Sequence, residues 1–161
     1  MTISVGDKLP EGTLKRVTPD GAKDITTDEF FGGRTIVLFG VPGAFTPTCS
    51  NSHLPGFIEN RDAILAKGAD AVAVIANNDH HVMTAWARFT GAEDKIEFIA
   101  DGNSTFIEAL GLLADMSPGG LGRRTLRFSM IVEDGTVKTL NTGDKPGHAE
   151  ITGAARILEQ L

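Results

Sequence analysis

Apolar positions along the chain fall into short blocks with two different periods. The run Thr35-Ile36-Val37-Leu38-Phe39 is continuously apolar and rich in β-branched residues, as in a strand buried on both faces. Residues 70–76 (Asp-Ala-Val-Ala-Val-Ile-Ala) repeat that character, and 97–100 give a shorter candidate. Residues 125–132 alternate instead, with Leu126, Phe128, Met130 and Val132 on one face and Arg127, Ser129 and Ile131 on the other. Asp134-Gly135 then predicts a tight turn into a strand over 136–140. Near the start, segments 13–17 and 23–26 flank the turn Thr18-Pro19-Asp20-Gly21 and predict a hairpin.

Helical periods fill the gaps. Residues 47–67 predict a helix kinked at Pro55, whose ring opposes the carbonyl four residues back. Residues 79–90 start on an N-cap, Asp79, and stop at Gly91. Residues 104–113 are amphipathic through Phe106, Ile107, Leu110 and Leu113, and 148–161 close the chain with Ile151, Ala154, Ala155, Leu158 and Leu161. Strands alternating with helices, then a hairpin and a last helix, predict an α/β fold with a central mixed β-sheet flanked by helices. The order suits a thioredoxin-like fold with an N-terminal β-hairpin extension. No repeat, charge block or low-complexity linker interrupts it, so residues 1–161 read as a single domain.

Composition narrows the functional classes. A chain of 161 residues, 41% hydrophobic and 22% charged, can bury one core without staples. Fifteen Lys and Arg against 21 Asp and Glu give a net charge of −6, with no basic stripe for nucleic acid. Arg123, Arg124 and Arg127 are the one Arg cluster. No apolar run approaches the roughly 18 residues of a membrane span, and the first residues lack the basic and apolar regions of a signal peptide. The expectation is a soluble cytoplasmic protein with its thiol kept reduced. The single cysteine, Cys49, excludes an intrachain disulfide, a Cys-rich zinc site and an internal Cys-x-x-Cys pair. His80 and His81 are expected to diverge on their helix, which is poor geometry for one metal. Trp86 and Phe89 are expected in the core. Gly119-Gly120-Leu121-Gly122 lacks the spacing of a dinucleotide cradle and reads as a loop.

The string Val41-Pro42-Gly43-Ala44-Phe45-Thr46-Pro47-Thr48-Cys49 follows a buried strand and opens a helix. With Thr46 as N-cap and Pro47 at N1, where a missing N–H costs nothing, Thr48 falls at N2 and Cys49 at N3. The thiol then lies in a first turn, where free N–H groups and the helix dipole favour a thiolate. A lone cysteine can equally be an inert, buried small hydrophobe, and the spacing by itself leaves both readings open.

The segment resembles the peroxiredoxins, whose pattern Pro-x-x-x-Thr/Ser-x-x-Cys is met by Pro42, Thr46 and Cys49. The longer string, continued by His53-Leu54-Pro55-Gly56-Phe57, resembles the type II, or peroxiredoxin-five-like, subfamily in its single-cysteine form. Met83-Thr84-Ala85-Trp86, Ala100-Asp101-Gly102 and Arg127-Phe128-Ser129-Met130 follow in the same order. The resemblance implies a peroxidase that reduces hydrogen peroxide and alkyl hydroperoxides. It makes Cys49 the nucleophile, Thr46 its hydrogen-bonding partner, Pro42 its shield and Arg127 a cation beside the sulfur. Gly43, the Thr48 and Cys49 amides and His53 would line the substrate site. No metal, haem or flavin is implied. With no second cysteine, a Cys49 sulfenic acid would be resolved by an external thiol, from glutathione with glutaredoxin or from thioredoxin. A homodimer packed through the active-site ends is also implied.

A magnitude limits what thiol acidity can supply. Moving a thiol from a pKa near 8.5 to about 6 raises its thiolate fraction at pH 7 roughly 30-fold. Nucleophilicity falls with a Brønsted slope of about 0.4–0.5, so about 2.5 units lose roughly 10-fold. The net gain is about threefold, and orientation with stabilisation of charge on the breaking O–O bond must supply the rest. Two rivals use the same residues. A thiol–disulfide oxidoreductase would want cysteine where Thr46 stands, and a peroxide sensor would stop after one equivalent.

Overall fold

The computed structural model describes residues 2–161. At its centre is a seven-stranded mixed sheet. The hairpin of β1 (Thr13–Thr18) and β2 (Gly21–Thr26) forms one edge, and β1 pairs antiparallel with β5 (Glu97–Ala100). Next to β5, β4 (Ala71–Ala76) and β3 (Thr35–Gly40) run parallel to it. Antiparallel β8 (Phe128–Glu133) and β9 (Thr136–Asn141) complete the other edge. This is the thioredoxin-like arrangement with an added N-terminal hairpin, as the pattern predicts.

Alternation along β3 divides the core in two, because successive side chains point to opposite faces. Ile36 and Leu38 pack with α1 (Thr27–Phe31) and α4 (Thr105–Leu110). Val37 and Phe39 pack with α2 (Leu54–Ala66), α3 (His80–Thr90) and α5 (Ala154–Gln160). Phe39 stacks on Phe57 of α2 with ring centroids 4.1 Å apart. The continuous apolar runs are thus explained by helices on both sides. α3 begins on Asp79, which accepts from Val82 N, and ends at left-handed Gly91, both as expected.

Four expected elements differ. The strand over 125–132 is broken: β8 starts only at Phe128, while β7 (Arg123–Thr125) pairs with β6 (Leu113–Asp115) in a separate two-stranded sheet. Asn77 Oδ1 holds Thr125 N at 2.6 Å and Leu112 O holds Leu126 N at 2.7 Å, so the chain turns there and Leu126 is exposed. Ser129 and Ile131, on the other face, are buried as well, because α5 and its neighbours cover that side. The helix over 104–113 stops at Leu110, because Gly111 adopts φ +73° and redirects the chain. The helix over 148–161 begins only at Ala154, since Asp144 takes the amides of Ile151 and Thr152 into a loop. The helix over 47–67 is a π-helical turn, Cys49–His53, leading into α2. Leu54 N bonds Cys49 O, and Pro55 lies in the first turn of α2, where its missing N–H is harmless. α1 was not foreseen, although Thr26 and Glu29 form a capping box whose Thr-x-x-Glu signal is plain in the sequence.

The last rung between β3 and β8 pairs Gly40 with Phe128. A β-carbon on Gly40 would lie 2.0 Å from Phe128 Cε1, so only glycine allows this approach. The rung places the chain leaving β3 and the residue preceding Phe128, Arg127, at the same end of the sheet.

Candidate active site

The loop leaving the C-terminal end of β3 is fixed at several points. Val41 N bonds Ile75 O at 3.1 Å, and Ala44 N bonds Asn78 Oδ1 at 2.8 Å. Arg124 donates from Nη1 to Pro42 O at 3.1 Å and from Nε to Leu121 O at 3.0 Å, tying Pro42 to the glycine-rich loop. Gly43 lies beneath it: a β-carbon there would stand 2.8 Å from Arg124 Nη1, so the guanidinium would have to shift. Phe45 adopts φ +65°, a conformation unfavourable for a bulky side chain and stored here at the bend before the helix. The helix then starts at Pro47, as the capping pattern predicts, but the Thr46 hydroxyl does not cap it. Thr46 Oγ1 donates instead to Gly43 O at 2.7 Å, which leaves its lone pairs as acceptors.

Cys49 has no accessible surface in this state. Its sulfur nevertheless meets a cation: Arg127 Nη2 donates to Sγ at 3.3 Å. Arg127 Nη1 donates to His53 Nδ1 at 2.9 Å. Cys49 and His53 open and close the π-helical turn at the base of α2, and both are buried against the same guanidinium. Since guanidinium can only donate, His53 Nδ1 must be the acceptor, and the ring proton lies on Nε2. There it is donated to Thr152 O at 3.0 Å, with Thr152 Oγ1 at 3.3 Å. Burial lowers the His53 pKa to about 4; the bond to Thr152 O and the Asp144 charge oppose this, and the Arg127 charge adds to it. His53 is therefore neutral above that pH. The Thr48 and Cys49 amides lie in the first turn, where N–H groups lack intrahelical acceptors.

Cys49, His53 and Arg127 therefore meet, although Arg127 is 78 residues from Cys49 in sequence, while Pro42, Gly43, Thr46 and Thr48 lie in the loop and first turn that lead to Cys49. Arg124, Asn77 and Asn78 also position the site and escaped the sequence reading. Their signal was a polar pair directly after β4, at the carboxyl end of a parallel strand where α/β sites form. Two other expectations change. Phe89 is exposed and lies against Phe45, with centroids 5.4 Å apart, whereas Trp86 is buried. His80 and His81 do not diverge; their rings lie 4.0 Å apart, although no cluster of three metal-ligating side chains occurs among the described residues. A cleft of about 300 Å³ lined by Arg16, Arg34, Arg61 and Glu97 lies at the N-terminal ends of β4 and β5, away from Cys49. Glu97 pairs with Arg16 at 2.6 Å and Arg34 at 3.4 Å, which neutralises much of its charge.

Comparison with known proteins agrees with this geometry. The Redoxin family profile matches residues 4–158. Peroxiredoxin-2C of Oryza sativa subsp. japonica is 41% identical over 160 residues, covering 99% of this chain and 98% of its own. The crystal structure of reduced Prx3 from Vibrio vulnificus in complex with H2O2 superposes with a TM-score of 0.92 at 42% identity, covering 99% of both chains. The Plasmodium falciparum antioxidant protein, a 1-Cys peroxiredoxin, superposes with a TM-score of 0.91 at 28% identity and 98% coverage of both.

Proposed function

Because the chain belongs to the Redoxin family and is a peroxiredoxin, a thiol peroxidase, we propose that Cys49 is its nucleophile and that Arg127, Thr46 and Pro42 build the site around it. The observation that carries this reading is the 3.3 Å approach of Arg127 Nη2 to Cys49 Sγ. A guanidinium there stabilises a thiolate and then the negative charge that develops on the departing oxygen. The Cys49 thiolate attacks the terminal peroxide oxygen; the S–O bond forms as O–O breaks, and the leaving oxygen takes a proton to become water or alcohol. Thr46, with its hydrogen committed to Gly43 O, accepts the peroxide O–H. The Thr48 and Cys49 amides, beside Gly43, complete the cradle. Neutral His53 accepts from Arg127 Nη1 and holds the guanidinium beside the sulfur.

The product on Cys49 is a sulfenic acid. An external thiol condenses with it to a mixed disulfide, releasing water, and a second thiol restores Cys49. Glutathione with glutaredoxin, or thioredoxin, supplies those thiols. The single cysteine of the chain supports this assignment, and the electrons then need no resident metal, haem or flavin. Because Cys49 is fully buried, the first turn must open to admit so bulky a reductant. We place the protein in a reducing compartment such as the cytoplasm on the same ground. Exposed Phe45 and Phe89, in mutual contact beside the site, support a homodimer through the active-site ends; Phe89→Asp should then shift the sedimentation of the protein to that of a monomer.

Peroxide consumption with the glutathione/glutaredoxin and thioredoxin systems, run side by side, tests the reaction. At least one should sustain turnover that is lost in Cys49→Ser. Arrest after one equivalent of peroxide with both systems would overturn it.

A further inference from the structure

The active-site contacts do not end at His53. Asp144, in the loop between β9 and α5, accepts three hydrogen bonds: from Ile151 N at 2.9 Å, Thr152 N at 3.0 Å and Thr152 Oγ1 at 2.6 Å. Burial opposes its charge, but the Thr152 hydroxyl and the two amides outweigh that and hold its carboxyl below the ordinary value. One carboxylate thereby closes the loop 144–152 and aims the carbonyl of fully buried Thr152 at His53 Nε2. The Thr152 hydroxyl spends its hydrogen on Asp144, so its oxygen is free to share the same Nε2 proton.

We propose that Asp144 and Thr152 are positioning residues for peroxide reduction: by fixing two acceptors at His53 Nε2 they select the Nε2–H tautomer, and that tautomer aims Arg127 at Cys49. The alternative tautomer shows why the selection matters. A proton on Nδ1 would face Arg127 Nη1 donor to donor at 2.9 Å, and the guanidinium would swing off Sγ. The other groups packed on the ring, Phe39 and Phe57 with centroids at 5.0 and 5.5 Å, offer neither tautomer a hydrogen bond. Arg127 at Nδ1 and the Thr152 acceptors at Nε2 therefore hold the proton's place together, and Asp144 sets the Nε2 side of that pair. The C-terminal loop, remote in sequence from the Cys49 helix, completes a line of contacts running Asp144, Thr152, His53, Arg127, Cys49.

The inference rests on the Cys49–Arg127 pair being the peroxide-reducing pair, and the experiment separates the two. Wild-type protein, Asp144→Ala and Thr152→Val are compared by stopped-flow peroxide kinetics and by ¹⁵N spectra of labelled histidine. Wild type should show a single Nε2–H tautomer at His53. Asp144→Ala should mix the tautomers and slow the peroxide step about tenfold, and Thr152→Val, which keeps the carbonyl, should slow it less. In a His53→Gln background the Asp144 substitution should cost nothing further. Rates and spectra identical to wild type in both variants, or an equal loss in the His53→Gln background, would overturn the inference. Failure of wild-type turnover would instead sink the peroxidase assignment of Cys49.

Discussion

Arg127 donates to His53 Nδ1 at 2.9 Å while its other terminal nitrogen donates to Cys49 Sγ at 3.3 Å, so one planar fork is shared between a neutral ring and a sulfur. This sharing needs two donors in fixed relation, which arginine has and lysine lacks. Arg127→Gln and Arg127→Lys should each slow peroxide reduction by about 10²–10³, the usual loss when one preorganised charge-stabilising donor is removed. Stopped-flow kinetics across pH measure it. Recovery of the wild-type rate at high pH, where thiolate is complete, would show that Arg127 serves only thiol ionisation.

His53 also gives the fold a pH dependence. It is neutral in the folded state down to about pH 4 but titrates at its ordinary value of 6.5 when unfolded. Between those values the unfolded chain binds more protons, so stability rises with pH. The contribution is complete above 6.5 and is lost as pH falls towards 4, on the order of 3 kcal/mol in all. Urea midpoints over that window should fall more steeply for wild type than for His53→Gln; parallel curves would contradict the burial argument.

Gly40→Ala should destabilise the protein by about 1–3 kcal/mol or more, because its methyl group would overlap the Phe128 ring. Phe128→Leu in the same chain should recover part of that loss, a non-additivity that thermal unfolding of the four proteins would reveal.

Trp86 reports on the reactive turn. Its indole Nε1 donates to Ser50 Oγ at 3.1 Å, and Ser50 follows Cys49. Tryptophan emission from the single Trp of the chain should change when peroxide is added, with the same rate as peroxide loss. Cys49→Ser should abolish the change, and Ser50→Ala should diminish it. A signal that persists in Cys49→Ser would have another origin.

Local chemistry determined much of this molecule. The apolar runs at 35–39 and 70–76 needed no context to be strands, because nothing but burial on both faces suits them. The helix start at Pro47 followed from a proline that needs no donor there. The one cysteine excluded an intrachain disulfide by count alone. What failed was local pattern overruled by distant partners. Alternation over 125–132 predicted one strand, but Asn77, 48 residues away, holds Thr125 N and breaks it, and that break lies beside Arg127. Periodicity over 148–161 predicted one helix, but Asp144 withdraws its first turn and sets Thr152 against His53.

The sequence by itself thus determined the place of the one cysteine at a helix start and the alternation of layers, since spacing and burial act within a few residues. The resemblance implied Arg127 beside the sulfur, and only the tertiary structure showed the contact, which ring nitrogen accepts from the guanidinium and where that ring's proton goes. Those are hydrogen-bond geometries between segments as much as 99 residues apart, fixed by the Gly40–Phe128 rung and the closed loop after β9. No local period encodes such a meeting; the packing of the whole sheet does.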